Sequence, residues 1–193
     1  MPNNFDYTAA VRGVCEDICL RLPDFFHVRM ADVAISFRQT RHNENYGVFA
    51  SLTPLRFKDG AVTEKRRGCF WTIPPVRDNT GHAFLYVLTV YMPRFANLTL
   101  TEKIETLVHE LYHINENFNG DLRRFAGRCY AHGSSKTRYD ATVRKLAAEW
   151  LQREPSPQLW AFLKYDFGEL SSRYDGITGL CVPIPALIRV DPS

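Results

Sequence analysis

A short segment near the middle of the chain, Leu107–Ile114, places two histidines around a glutamate. Its order is His-Glu-x-x-His, formed by His109, Glu110 and His113. Residues four apart lie on the same face of an α-helix, about one turn apart. The two imidazoles can therefore share one metal ion. Glu110 is rotated by about 100° from His109, so its carboxylate can reach a water on that metal without being a ligand.

The neighbouring residues predict the helix independently of the motif. Apolar residues recur at helical spacing and form one stripe: Ile104, Leu107, Leu111 and Ile114. The segment Thr99–Glu102 fits a capping box, which would start the helix. Asn115–Gly120 is rich in residues that end helices. Because His109 and His113 lie beside the apolar stripe, we expect both to face partly inward.

This pattern is typical of zinc metallopeptidases, which carry two ligands and a general base on one turn of helix. A catalytic zinc takes three protein ligands and leaves one position open. A third ligand of the metzincin type is excluded, because Glu116 and Asn119 occupy the positions of the glycine and histidine that this class requires. The third ligand must therefore come from elsewhere in the chain.

We favour His132 as that third ligand, because imidazole binds zinc well. Gly133 follows it and permits close approach of the backbone to a site. Asp140 is the acidic alternative, and otherwise it could orient a ligand histidine. Asp121 and Glu149 are the other acids that a following loop or helix would supply.

The bulk composition is that of an ordinary globular protein. Of the 193 residues, 45% are hydrophobic and 23% are charged, which suits one domain over residues 1–193. The net charge of +3 is too mild to indicate nucleic-acid binding by itself. The five cysteines are odd in number and include no Cys-x-x-Cys pair, so we expect neither a disulfide framework nor a zinc ribbon. With no signal-peptide pattern and no membrane-length apolar run, we expect a cytoplasmic protein.

Periodicity along the rest of the chain predicts an α+β fold. A mostly antiparallel small sheet would pack against helices, and the motif helix would be one of them. Helices are predicted near residues 7–22, 137–153 and 158–165, and strands near residues 33–38, 46–57, 69–73 and 82–92. We expect the strand at 69–73 to form a hairpin with the strand at 82–92. A strand lying across the cleft could bind an extended peptide as an additional strand.

The motif residues also resemble a known family. His109–His113 followed by His132-Gly133 resembles the SprT-like metallopeptidases, which include Spartan. Together with Gly120–Phe125 and Cys129–His132, the similarity is closer to a family of phage and bacterial metallopeptidases. It covers about Glu102–Asp140.

The resemblance implies a compact zincin-like domain that holds one zinc ion. The ligands would be His109, His113 and His132, and Glu110 would be the general base. The interval between His113 and His132 is longer than in Spartan, and the zinc ribbon that often follows in SprT-like proteins is missing. The resemblance therefore does not carry over a DNA-linked role.

Our leading hypothesis is hydrolysis of a protein or peptide substrate, in which Glu110 takes a proton from water and passes it to the leaving amine. The oxyanion needs a further donor, and three residues are candidates: Tyr130, Arg138 and Tyr139. One alternative is a non-catalytic, zinc-stabilised binding module that acts through its basic residues. Another is a peptidase associated with nucleic acid. The basic residues concerned are Lys65, Arg66, Arg67, Arg123, Arg124 and Arg128.

Overall fold

The computed structural model describes residues 3–40, 47–125 and 136–191. Its helices are α1 (Tyr7–Arg21), α2 (Leu100–Tyr112), α3 (Lys136–Gln152), α4 (Pro157–Trp160) and α5 (Phe167–Arg173). Its strands are β1 (Asn4–Asp6), β2 (Val33–Gln39), β3 (Ala50–Pro54), β4 (Thr63–Arg66), β5 (Cys69–Thr72), β6 (Tyr86–Met92), β7 (Gly176–Thr178) and β8 (Ile188–Val190).

The sheet beside α2 has the strand order β2-β6-β3. β2 runs parallel to β6, and β3 runs antiparallel to it. Every residue of β6 except Tyr91 is buried. A strand that is apolar on both faces is stable where both faces are covered and both edges are paired, so β6 takes the middle position. This leaves β3 at one edge of the sheet.

The two faces of this sheet are covered in different ways. Alternate residues such as Ile35 and Leu88 belong to the large core that also contains the apolar faces of α1, α2 and α3. On the opposite face, Val87 packs with Phe84 and Val182 in a smaller cluster. Helices therefore cover one face and irregular segments cover the other.

The remaining strands form two small sheets, β1-β7 and β4-β5-β8. The predicted hairpin between the strands at 69–73 and 82–92 is wrong, because β5 pairs with β4 and β8 instead. The reason lies in burial: no residue of β5 is fully buried, whereas β6 is almost entirely buried. Pairing β6 with the apolar strands β2 and β3 buries more surface than a local hairpin would.

The predicted α+β class is confirmed, with small sheets packed against helices. Among the described residues, antiparallel strand pairs outnumber parallel ones by three to two. Cys15, Cys19, Cys69 and Cys181 are free thiols, and Cys129 lies outside the described residues. None of the helices that the structure describes has the length and hydropathy needed to cross a membrane.

A buried lysine ties the first half of α2 to the C-terminal part of the chain. Lys103 is 1% exposed. Its Nζ donates to the carbonyl oxygens of Leu163 at 2.9 Å and Tyr165 at 2.8 Å. Burial lowers the pKa of Lys103 to about 8, while the nearby charges of Asp166 and Glu169 oppose that shift. The lysine thereby fixes how α2 lies against the segment that follows α4.

We expect the substitution Lys103→Met to lower the free energy of unfolding by about 1–3 kcal/mol, because it leaves two buried carbonyl groups without their donor. Urea denaturation measures this loss. Lys145→Met, at an exposed position of the neighbouring helix α3, is the matched control and should stay within about 0.5 kcal/mol of wild type. Equal stabilities for the two variants would contradict the role given to Lys103.

Candidate metal centre

The motif helix α2 begins and packs as its sequence predicts. Thr99 is the N-cap and forms a capping box with Glu102, in which each side chain accepts from the other residue's backbone N–H. The hydrogen bond from the Thr99 side chain lowers the pKa of Glu102. The apolar stripe is fully buried: Ile104, Leu107, Leu111 and Ile114. Burial of this stripe sets the rotation of the helix, and the rotation aims the motif residues.

The two motif histidines converge on one point. The Nε2 atoms of His109 and His113 are 3.0 Å apart, and the ring centroids are 4.7 Å apart. Two nitrogens bound to one tetrahedral zinc, each at about 2.0–2.1 Å, would be about 3.3 Å apart. The separation in the structure is close to that value. This pair of imidazoles therefore fits two neighbouring ligand positions of a zinc ion.

Glu110 lies between the histidines in the chain and is buried. Its residue surface is 7% exposed. Burial raises the pKa of Glu110 to about 7, and a hydrogen bond from the backbone of Leu52 opposes this rise. A carboxyl group with a pKa near neutrality can both accept and release a proton. The chemistry available at this position is therefore that of a general acid or base.

The hydrogen bond from Leu52 connects α2 to the edge strand β3. Phe49 accepts from the Tyr91 amide and Leu55 donates to the Leu85 carbonyl, each at 2.9 Å. In an antiparallel pair the bonded positions alternate, so the backbone groups of residues 50, 52 and 54 point away from β6. The outward N–H of Leu52 is the group directed at Glu110. Within the part of the chain that the structure describes, no further strand pairs with β3.

An aromatic side chain from α3 packs on both histidines. The ring of Tyr139 is stacked on the ring of His113, with centroids 5.4 Å apart and planes inclined by 26°. It meets His109 edge-on at 4.9 Å. The Tyr139 hydroxyl donates to the backbone carbonyl of His109 at 3.1 Å. Since that hydroxyl is held by the helix backbone, Tyr139 does not suit the oxyanion role considered for it.

The central strand β6 stabilises the turn after α2 through hydrogen bonds of Tyr86. The hydroxyl of Tyr86 donates to the Asp121 carbonyl at 2.9 Å and accepts from the Gly120 amide at 3.0 Å. The backbone N–H of Arg123 donates to the carbonyl of His113 at 2.7 Å. Gly120 has a φ of +86° and lies against the side chain of Arg56, so a Cβ at this position would clash. The turn sends the chain back past the end of the motif helix.

The predicted third ligand, His132, lies outside the described residues. Within residues 3–40, 47–125 and 136–191, no group of three or more His, Cys, Asp or Glu side chains is placed to hold a metal ion. Asp140 therefore does not complete a ligand set with the two histidines there. Asp121 is paired with Arg124, and Glu149 with Arg153, so neither acid is directed at the site.

A cleft of about 650 Å³ opens beside the motif. One wall is formed by residues 47–50, which lead into β3, and a second by α2 from Glu102 to Glu110. The third wall is the first half of α3, including Asp140 and Arg144. His109 and Glu110 lie at the surface of this cleft. A ligand in it would therefore contact the motif residues directly.

Several of the basic residues considered as a binding surface contact acidic or aromatic side chains of the same chain. Arg66 forms an ion pair with Glu64 in the β4–β5 hairpin. Arg123 contacts Glu116 at 3.2 Å, and its guanidinium lies 4.1 Å above the ring of Tyr112. Tyr130 and Arg128 lie outside the described residues. The arginines that follow the motif are thus largely engaged in internal contacts, and nucleic-acid binding stays a prediction.

Two features of the site were not predicted from the sequence. The contact of Leu52 with Glu110 depends on which strand lies at the edge of the sheet. The pattern of neighbouring residues does not indicate which strand that is. The packing of Tyr139 had a detectable signal, because the apolar stripe of α3 at Val143 and Leu146 extends back by one turn to Tyr139. From the sequence alone, Tyr139 is a candidate only for donating a hydrogen bond to the oxyanion.

The buried carboxyl group predicts a pH-dependent stability of the metal-free protein. Between pH 4.5, the usual pKa of Glu, and about 7, folded Glu110 holds a proton that the unfolded chain has released. The free energy of unfolding therefore falls as the pH rises through this window. The full loss is about 3 kcal/mol. Glu110→Gln lacks this titration and should become more stable than wild type above pH 7.

Urea denaturation in the presence of a chelator, at pH 5 and at pH 8, tests this expectation. The stability difference between Glu110→Gln and wild type should grow by up to about 3 kcal/mol across this interval. Glu149→Gln, which makes the same chemical change on α3, should follow wild type. Parallel pH profiles for wild type and Glu110→Gln would show that burial does not penalise the Glu110 charge.

Comparison with known proteins agrees with the chemistry of the site. The family model described as "Putative phage metallopeptidase" matches residues 5–150, about three quarters of the chain. No match was found among curated proteins or among solved structures. The matched region runs from β1 to the last turn of α3 and includes α2 with its two histidines and the glutamate. The chain belongs to this phage metallopeptidase family.

Proposed function

We propose that this protein is a zinc-dependent peptidase in which Glu110 is the general base. The single observation that carries the proposal is the convergence of two imidazole Nε2 atoms, 3.0 Å apart, next to a buried carboxyl group. His109, His113 and His132 would hold the metal. When bound, zinc supplies Lewis-acid chemistry, because it lowers the pKa of water and polarises a carbonyl group.

The environment of Glu110 supports its role in moving a proton. The carboxyl group is largely shielded from solvent, and burial brings its pKa to about 7. It can therefore take a proton from water and release it to the nitrogen of the leaving amine. The hydrogen bond from the Leu52 backbone holds one side of the carboxylate and leaves the remaining lone pairs for the reacting water.

The position of β3 at the edge of its sheet supports a peptide as the substrate. The backbone groups of Ala50 point away from β6 at the wall of the cleft, so an extended chain could pair with β3 there as an additional strand. Main-chain hydrogen bonds of this kind tolerate many sequences. Because the amide of Leu52, two residues farther along the same edge, donates to Glu110, a segment bound beside Ala50 would pass close to the base. The cleft beside it offers room for a side chain of the substrate.

A buried general base predicts a selective loss of activity in Glu110→Gln. We expect this variant to retain about one zinc per chain and to cleave an unfolded protein such as casein about 10²–10⁴ times more slowly. Mass spectrometry of the products measures the rate, and elemental analysis measures the metal. Glu149→Gln should cleave as fast as wild type. A purified protein without stoichiometric zinc, or full activity in Glu110→Gln, would contradict the proposal.

The identity of the third ligand predicts how the metal content responds to substitution. His132→Ala should lose most of its zinc after gel filtration, because only two protein ligands remain. Asp140→Ala should retain it. The same elemental analysis, applied to both variants at equal protein concentration, decides between the two residues. Zinc that persists in His132→Ala but is lost in Asp140→Ala would assign the ligand to Asp140.

A further inference from the structure

Tyr139 joins the two helices of the site at the point where the histidines converge. It lies in the first turn of α3 and is 4% exposed. The ring meets His113 face to face and His109 edge-on, at 5.4 and 4.9 Å between centroids. One side chain from α3 therefore restricts both imidazoles of α2.

The aromatic neighbours of Tyr139 restrict its own position. Tyr112 meets its ring edge-on with centroids 5.3 Å apart, and Phe125 does so at 5.7 Å. The guanidinium of Arg123 in turn lies over the ring of Tyr112. The Tyr139 hydroxyl is anchored to the carbonyl of His109, the residue whose ring it contacts. Its ring therefore has little freedom to rotate or slide.

These contacts have a direct consequence for metal binding. An imidazole that binds a cation through Nε2 loses electron density, and the face of an aromatic ring attracts such a group. The stacked geometry at His113 provides this contact. Hydrogen-bonding groups that orient ligand histidines change metal affinity by about 10- to 100-fold when they are removed, and we expect a ring that restricts both imidazoles to act on the same scale. A site whose histidines are oriented by a neighbouring side chain should therefore lose metal affinity when that side chain is removed.

We propose that Tyr139 is a positioning residue whose ring holds His109 and His113 in the rotamers that bind the metal. This inference rests on the proposed metal centre, and it separates two functions of one side chain. The ring orients the imidazoles, whereas the hydroxyl ties α3 to the backbone of α2. The two functions can be removed one at a time.

The test is a zinc titration of the metal-free protein against a chromophoric chelator. Tyr139→Met keeps a long apolar side chain in a helical position but removes the aromatic face. We expect it to weaken zinc binding by about 10- to 100-fold. Tyr139→Phe keeps the ring and removes only the hydroxyl, so its zinc affinity should stay within about threefold of wild type on the same scale. Cobalt substitution gives a second readout, because the visible spectrum should change in Tyr139→Met and persist in Tyr139→Phe.

A matched control separates positioning from general loss of packing. Leu146 lies on the same buried stripe of α3, away from the histidines, and is 4% exposed. Leu146→Ala should lower the melting temperature without changing the zinc affinity or the cobalt spectrum. Should Tyr139→Met fail to fold, Tyr139→Leu takes its place in the same titration.

The outcomes distinguish this inference from the proposed function. Wild-type zinc affinity in a folded Tyr139→Met would overturn the positioning role and leave the metal centre intact. A loss of affinity of the same size in Leu146→Ala would also overturn it. Absence of zinc binding in the wild type would overturn the metal centre and the positioning role together.

Discussion

The structure depends on burying one polar turn of helix α2 against elements that are distant in sequence. A buried carboxyl group or imidazole is costly unless it finds partners. Here Glu110 receives a hydrogen bond from the edge of β3, and the Nε2 atoms of His109 and His113 face each other. The ring of Tyr139 packs against both imidazoles. Three elements far apart in sequence therefore meet at this turn.

The rest of the fold holds that turn in place. The apolar stripe of α2 is fully buried in the core, and Lys103 anchors the first half of the helix to the segment after α4. At the other end, Tyr86 of the central strand bonds to the turn that follows His113. The site is thus fixed at both ends of one helix, which gives the constrained geometry that a metal centre requires.

Local patterns predicted the helices better than the strand pairing. The capping box at Thr99 and the apolar periodicity of α2 depend only on neighbouring residues, and both are present in the structure. Strand partners depend on which surfaces become buried together. The hairpin expected for β5 failed because β6 is buried on both faces and pairs with β2 and β3 instead. The α+β class followed from the mixture of the two periodicities.

The sequence by itself determined the helix that carries His109, Glu110 and His113 and the face on which they lie, because the 3.6-residue period is a local property. Only the tertiary structure decided what surrounds them. The amide of Leu52 reaches Glu110 because β3 lies at a sheet edge, and Tyr139 reaches both histidines because α3 packs against α2. Such contacts depend on how nonlocal elements share a core, and no spacing along the chain encodes them.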